Sequence, residues 1–469
     1  MMTATSATLE SPRAFAVRFK DLHLWSVGSF VRVQWRWPKE HIRPLSTAFC
    51  RRVEEVDRGR YSIENLQLIT LHFDGTMEPR DHQSQNRFKG RLFFAFAGDV
   101  VYSKIDVRNG AIGVVPTQMT KVAVSSEYPV YQVSHDIALP SYIKLLFRTI
   151  YFRRAINSMI SGASGRKRVQ PEQIEAIEVP LPPLAIQRVI LGRWEEIQKE
   201  IAEIRHRVER LEGEIPFQVY AELGTPKPLP NGPEPKSMGL WWKDVDRWSF
   251  NYLTRARQGL LGFTNSNYPI LPLSQCLVDT MNGYCIRPVP GPTAHKMLKL
   301  NALTPAGLDL SEHKFVKVPN KIAERFSLRK GDLLICRSVG SYNHVAKCAL
   351  VEHDSPNVLF PDITIRARFN TTILPEYARE IIQTPLGRSY FQSNARTAVG
   401  MWKIGAEDIR NFPIPLPRLD VQQQIVQRVQ EKRAVIARER ERARQLAAAV
   451  EREVEEMIIG VRPVPVGGG

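Results

Sequence analysis

The chain of 469 residues is too long for one ordinary core, and its 43% hydrophobic and 24% charged side chains are those of a soluble, multidomain globular protein. Its longest apolar runs, such as Leu92 to Ala97, fall far short of the roughly 20 residues that a membrane helix needs, so no membrane partner is expected. Lys plus Arg outnumber Asp plus Glu 65 to 48, a balance of +17 that suits a polyanion.

In chain order, residues 1–24 read as a disordered lead: Met1 to Lys20 is rich in Ser, Thr and Ala and has no long apolar run. A first globular domain is expected over 25–180. Its β-branched runs predict strands at Leu66 to Phe73, Asp99 to Ile105 and Ile112 to Val115, followed by a helix from Ser141 to Ser158. A long helix is expected over 181–222. There Ile190, Trp194, Ile197, Ile201, Ile204, Val208 and Leu211 alternate in steps of four and three, the heptad seam of a coiled coil. Five prolines and three glycines between Gly224 and Gly239 mark 223–240 as a linker.

The second half repeats this plan. A domain over 241–413 has predicted strands at Lys314 to Val318, Asp332 to Arg337, Ala346 to Val351 and Asp362 to Phe369, and a helix from Pro375 to Ser393. A second heptad helix over 414–459 carries Ile425, Val429, Ile436, Ala443, Leu446, Val450 and Met457, ahead of a flexible tail at 460–469. The match extends to motifs. Pro44-Leu45-Ser46 returns as Pro272-Leu273-Ser274, and Gly98-Asp99 with two apolar residues returns as Gly331-Asp332 with two more. Val179-Pro-Leu-Pro-Pro-Leu-Ala-Ile-Gln187 returns as Ile414-Pro-Leu-Pro-Arg-Leu-Asp-Val-Gln422, at a spacing of 235. Three ordered matches with small drifts in spacing describe one unit written twice.

The doubled Pro-Leu-Pro-x-Leu-x-x-Gln motif, each time leading into a long helix, resembles the specificity subunits of type I restriction–modification systems. The resemblance covers about Trp25 to Ile459. Departures are Arg418 and Asp420 in the second motif, and Ile186 and Val421 where the family usually has Glu before Gln. It implies an α+β fold with two tandem target-recognition-type domains, separated by two long helices that form an antiparallel coiled coil. It also implies a protein that binds double-stranded DNA, reads an asymmetric two-part target and directs partners to it. Those partners are modification (methyltransferase) subunits, two in number, and restriction (endonuclease/translocase) subunits. S-adenosylmethionine, ATP and Mg would be bound by them, so no cofactor is expected here.

The residues agree with a binding role. Ile137 to Pro171 holds Arg153, Arg154, Arg166, Lys167 and Arg168 without an acid, and Ile381 to Ala406 holds Arg388, Arg396 and Lys403, again without one. Such segments suit phosphate, because bound cations release condensed counterions. Base edges need fixed donors and acceptors. Candidates are Lys104, Arg108 and Asn109 after the first Gly-Asp strand, and Arg337, Ser338, Tyr342 and Asn343 after the second. No GxxxxGK[ST], HExxH, Gly-rich dinucleotide fingerprint or Asn/Asp-Pro-Pro-aromatic motif occurs, so no catalytic residue and no enzyme activity is expected. The five cysteines are scattered and form no CxxC pair, which argues against a metal site and suits a reducing cytoplasm. The alternative reading is a non-catalytic coiled-coil scaffold or RNA-binding adaptor of the same duplicated fold.

Overall fold

The computed structural model describes residues 35–80, 90–158, 168–227, 253, 262–304, 307–398 and 400–465. It divides into two compact units, one of residues 1–204 and 442–469 and the other of residues 205–441. The lead at 1–24 and most of the linker at 223–240 lie outside the described residues.

In the first unit an antiparallel sheet runs in the order Phe49–Arg52, Val130–Val133, Val100–Tyr102 and Ile112–Val114. Branched and aromatic residues suit a pleated, half-buried surface, and Val100, Tyr102, Tyr131 and Val133 are buried. The Gly-Asp motif sets up the Val100 strand. Gly98 takes φ 87°, a left-handed turn open to glycine. Asp99 then accepts from Phe96 N at 2.9 Å and from Arg52 Nε at 2.8 Å. The strand Ile42–Pro44 pairs with Glu178–Pro180 in a separate two-stranded sheet, where proline is tolerated.

The second unit has the same strand plan: Leu277–Asn282, Thr364–Phe369, Leu333–Cys336 and Cys348–Leu350, all antiparallel. Gly331 has φ 86°, and Asp332 accepts from Arg329 N and from Arg368 Nε at 2.6 Å. Ile270–Pro272 pairs with Pro413–Pro415. A further four-stranded sheet, His313–Val316, His295–Leu298, Ser355–Leu359 and Ser327–Leu328, belongs to this unit alone among the described residues.

Each predicted domain helix is in fact two. The first breaks into Pro140–Leu146 and Ile150–Ser158, because Thr149 Oγ1 donates to Leu146 O and accepts from Phe152 N, ending one helix and starting the next. The second breaks into Pro375–Gln383 and Pro385–Asn394. Pro385 keeps Thr384 out of the helical region, and Thr384 caps the new helix by accepting from Gly387 N.

The long helices are Leu184–Leu223 and Leu419–Ile459, each starting a few residues later than expected. The residues before them are occupied by Glu178–Pro180 and Pro413–Pro415 and by the prolines that follow, which cannot continue a helix backwards. Both units contain a stretch of each helix, and within each unit the two stretches run antiparallel. In the first, Arg193 meets Glu453 and Arg442 meets Glu200; in the second, Arg207 meets Glu439 and Arg428 meets Glu222. The predicted seam is the buried stripe. Ile190, Ile197, Ile201, Ile204, Val208, Ile425, Val429, Ile436 and Val450 are all below 9% exposure, with Trp194, Leu211 and Leu446 half-buried.

Candidate nucleic-acid interface

The frame that carries the candidate loops is tied by the same hydrogen bonds in both units. Gln187 is fully buried. Its Oε1 accepts from Leu139 N at 2.9 Å, and its Nε2 donates to Ile137 O at 2.9 Å and Pro182 O at 2.7 Å. Gln422, 235 residues later, accepts from Leu374 N at 2.8 Å and donates to Thr372 O at 3.1 Å and Pro417 O at 2.8 Å. Tyr142 Oη donates to Pro180 O, and Tyr377 Oη to Pro415 O. Leu45 N donates to Ile177 O, and Leu273 N to Phe412 O. The glutamine of the Pro-Leu-Pro motif is therefore a hub. It joins the start of the long helix to the start of the first domain helix.

On this frame the first unit groups several of its candidates. Lys104 follows the Val100 strand; its carbonyl accepts from Val169 N at 2.8 Å and its Nζ donates to Ser126 O. Arg168 pairs with the adjacent Glu127 at 3.3 Å, so both cations stand beside the turn at 125–128. Arg108 and Asn109 are exposed on the short helical turn Val107–Asn109, which Gly110 ends at φ 101°. The helix Ile150–Ser158 packs on that turn and presents Arg153 and Arg154 to solvent. Neighbouring Arg148 turns inward instead, donating to Ile112 O, and its burial lowers its pKa from the usual arginine value. Arg166 and Lys167 lie outside the described residues.

In the second unit Ile404 N donates to Arg337 O at 3.0 Å, the counterpart of the Val169–Lys104 bond. Arg337 also donates from Nη1 to Asp362 O. A three-stranded sheet follows from this junction: Ser338–Val339, Met401–Lys403 and Arg396–Ala398. It sets exposed Arg396 directly opposite exposed Lys403. The ring of Tyr342 lies 4.7 Å from that of Trp402, edge to face. Asn343 is exposed beside it.

Two expectations change. Ser338 is only 9% exposed within its strand, so its hydroxyl does not stand on the surface. Arg388 donates to Asn343 O, and burial lowers its pKa; it braces the loop from beneath. Met401 and Trp402 carry neither a cation nor an amide and so give no such sign in the sequence. The signal that could have found them was Gly400 amid residues of β propensity, Thr397 and Trp402 among them.

Among the described residues no group of three or more His, Cys, Asp or Glu is placed to hold a metal ion. Burial pushes the Cys336 thiol up to about 11 and that of Cys348 to about 12, so neither is a ready nucleophile. No helix among the described residues is long and apolar enough to cross a membrane.

Each long helix is entered from a mixed helix-and-sheet unit through Pro-Leu-Pro, and each unit exposes cations and amides beside its sheet. Residues 83–220 match the family described as Type I restriction modification DNA specificity domain. The chain is 25% identical over 291 residues to the Type I restriction enzyme EcoKI specificity subunit of Escherichia coli (strain K12). It is 22% identical over 295 residues to the StySPI specificity subunit of Salmonella potsdam. Each alignment covers 62% of this chain and 58% of the relative, so the match spans less than two-thirds of those proteins. A solved chain from work on complex assembly and conformational transition of the type I R-M system superposes with a TM-score of 0.53 at 13% identity, covering 89% of this chain and 97% of that one. The chain is similar in sequence to type I restriction–modification specificity subunits, and in fold to a chain of a type I R-M system.

Proposed function

We propose that this chain is the sequence-reading subunit of a type I restriction–modification complex. Each unit reads one short block of double-stranded DNA, and the two blocks form an asymmetric target around an unread spacer. The paired helices serve as coiled-coil spacer and as docking surface for methyltransferase subunits, two in number, and restriction subunits. Those partners carry S-adenosylmethionine, ATP and Mg, and the complex works in the cytoplasm.

The observation that carries this reading is the recurrence, at an offset of 235, of one hydrogen-bonded frame beneath unlike loops. A duplicated frame gives two reading heads, and the difference between Lys104-Arg108-Asn109 and Arg337-Tyr342-Asn343 gives two unlike half-sites. Cations beside amides match the division of labour at duplexes, where phosphate contacts position and base-edge contacts specify.

Exchanging Met1 to Val179 for the equivalent part of a related subunit, followed by methylome sequencing of the host, tests it. One block of the methylated motif is expected to change while the other stays. A methylome in which both blocks change, or neither does, refutes the two-headed reading.

A further inference from the structure

We propose that the hairpin Arg396–Lys403 is a two-stranded ribbon that enters the major groove, where Met401 reads the methyl group of a thymine. The inference rests on the DNA-reading function above and deepens it at one site. The register pairs Arg396 with Lys403, Thr397 with Trp402 and Ala398 with Met401. Side chains alternate between the faces of a strand. Arg396, Met401 and Lys403 therefore share one face, and Thr397 and Trp402 the other.

The two faces have different work. On one, Trp402 stands against the ring of Tyr342 and packs on the core of the unit, while Val339, its partner on the next strand, is buried. That face anchors the hairpin. Tyr342 is itself braced, since its carbonyl accepts from Gln392 Nε2. The other face carries two exposed cations and a half-exposed thioether beside the tip. Next to Met401, Gly400 has φ 72°, and a side chain at that position would meet nothing within 4 Å, so Gly400 stands in open space.

Groove dimensions and chemistry narrow the choice of ligand. The major groove of B-form DNA admits a two-stranded ribbon. Arg396 and Lys403 flank the path of the ribbon and suit phosphates. Met401 has no strong donor or acceptor for a base edge, and its polarisable thioether adapts to apolar surface. The one apolar feature that a base pair presents in that groove is the C5-methyl of thymine. Arg166 stands in the first half of the sequence at the same offset of 235, where Met401 stands in the second. An arginine suits guanine, so the two halves differ in chemistry at this position.

The experiment uses the full chain assembled with its methyltransferase subunits, and duplexes carrying the motif that methylome sequencing assigns to it. Each thymine is replaced in turn by uracil, which removes only the methyl group. For the wild type, one replacement is expected to weaken binding about 4-fold, the worth of burying one methyl-sized group. Met401→Ala is expected to lose that response and keep its preference for the motif over a scrambled duplex. Met401→Gln, of similar length but polar at its end, provides a second variant with the same expectation should Met401→Ala fail to fold. The proposal is overturned if every uracil duplex binds the wild type as the thymine duplex does, if both variants respond as the wild type does, or if the motif holds no thymine. A complex that prefers its motif yet ignores uracil refutes the hairpin alone. A complex that binds motif and scrambled duplex equally refutes the DNA reading beneath it.

Discussion

Replacing Gln187 by Leu removes the hub of the first unit while keeping most of its apolar volume. Three hydrogen bonds disappear together: Leu139 N loses its acceptor, and Ile137 O and Pro182 O lose their donor. Pro182 is buried, whereas Leu139 and Ile137 are only half-buried, so water can partly replace the glutamine at two of the three groups. At about 1 kcal/mol for each bond, the loss comes to about 3 kcal/mol. Stability of a domain is commonly about 5–15 kcal/mol, so the variant should fold and be measurably weaker. With a urea dependence of about 2 kcal/mol per molar, the midpoint of the first unit's unfolding should fall by about 1.5 M. Gln422→Leu removes the same three bonds and should cost the same in the second unit. Urea titrations followed by far-UV circular dichroism and tryptophan fluorescence measure both. Losses under about 1 kcal/mol in both variants would refute the assignment of these glutamines as hubs.

Glu380 is 3% exposed and held between Arg379 at 2.6 Å and Arg433 at 2.7 Å. Arg433→Met removes one partner of a buried charge and should cost about 3 kcal/mol; an unchanged melting temperature would show that the pair contributes nothing net. Replacing Arg153, Arg154, Arg166 and Lys167 together by Ala should weaken binding to all duplexes alike and flatten the plot of log affinity against log salt by up to about 3.6. An unchanged slope over a salt series would mean that these residues do not face phosphate.

The parts of the fold legible in the sequence were those governed by periodicity and by proline. Steps of four and three from Ile190 to Val208 gave the buried stripe of the long helix, because a helix has no other way to bury so regular a row. The doubled Pro-Leu-Pro marked the entry to each long helix to within a few residues. The domain helices were misread as continuous for a local reason. Thr149 acts as a cap only because its hydroxyl finds Leu146 O, and a threonine within an apolar pattern gives no sign of which way it will bond. At Thr384 the sign was present, since Pro385 follows directly. The candidate site was legible as a region and not residue by residue. Arg388 and Arg396 stand eight positions apart in the same acid-free stretch. One braces Asn343 from within and the other faces solvent from a strand.

That contrast bears on how such a protein can change what it reads. The bonds of the frame end largely on backbone groups: Leu139 N, Ile137 O and Pro182 O for Gln187, Pro180 O for Tyr142, and Ile177 O for Leu45 N. A backbone acceptor survives substitution of its own side chain, so the frame constrains few residue types beyond the glutamine, the tyrosine and the prolines. The exposed residues Arg108, Asn109, Asn343, Arg396 and Lys403 are not part of the buried core. Changes at such positions usually cost less than about 0.5 kcal/mol of stability. On the proposed two-headed reading, specificity would alter in one unit without unfolding it and without disturbing the frame of the other. Two units with matching frames and unlike loops are the arrangement that this separation permits.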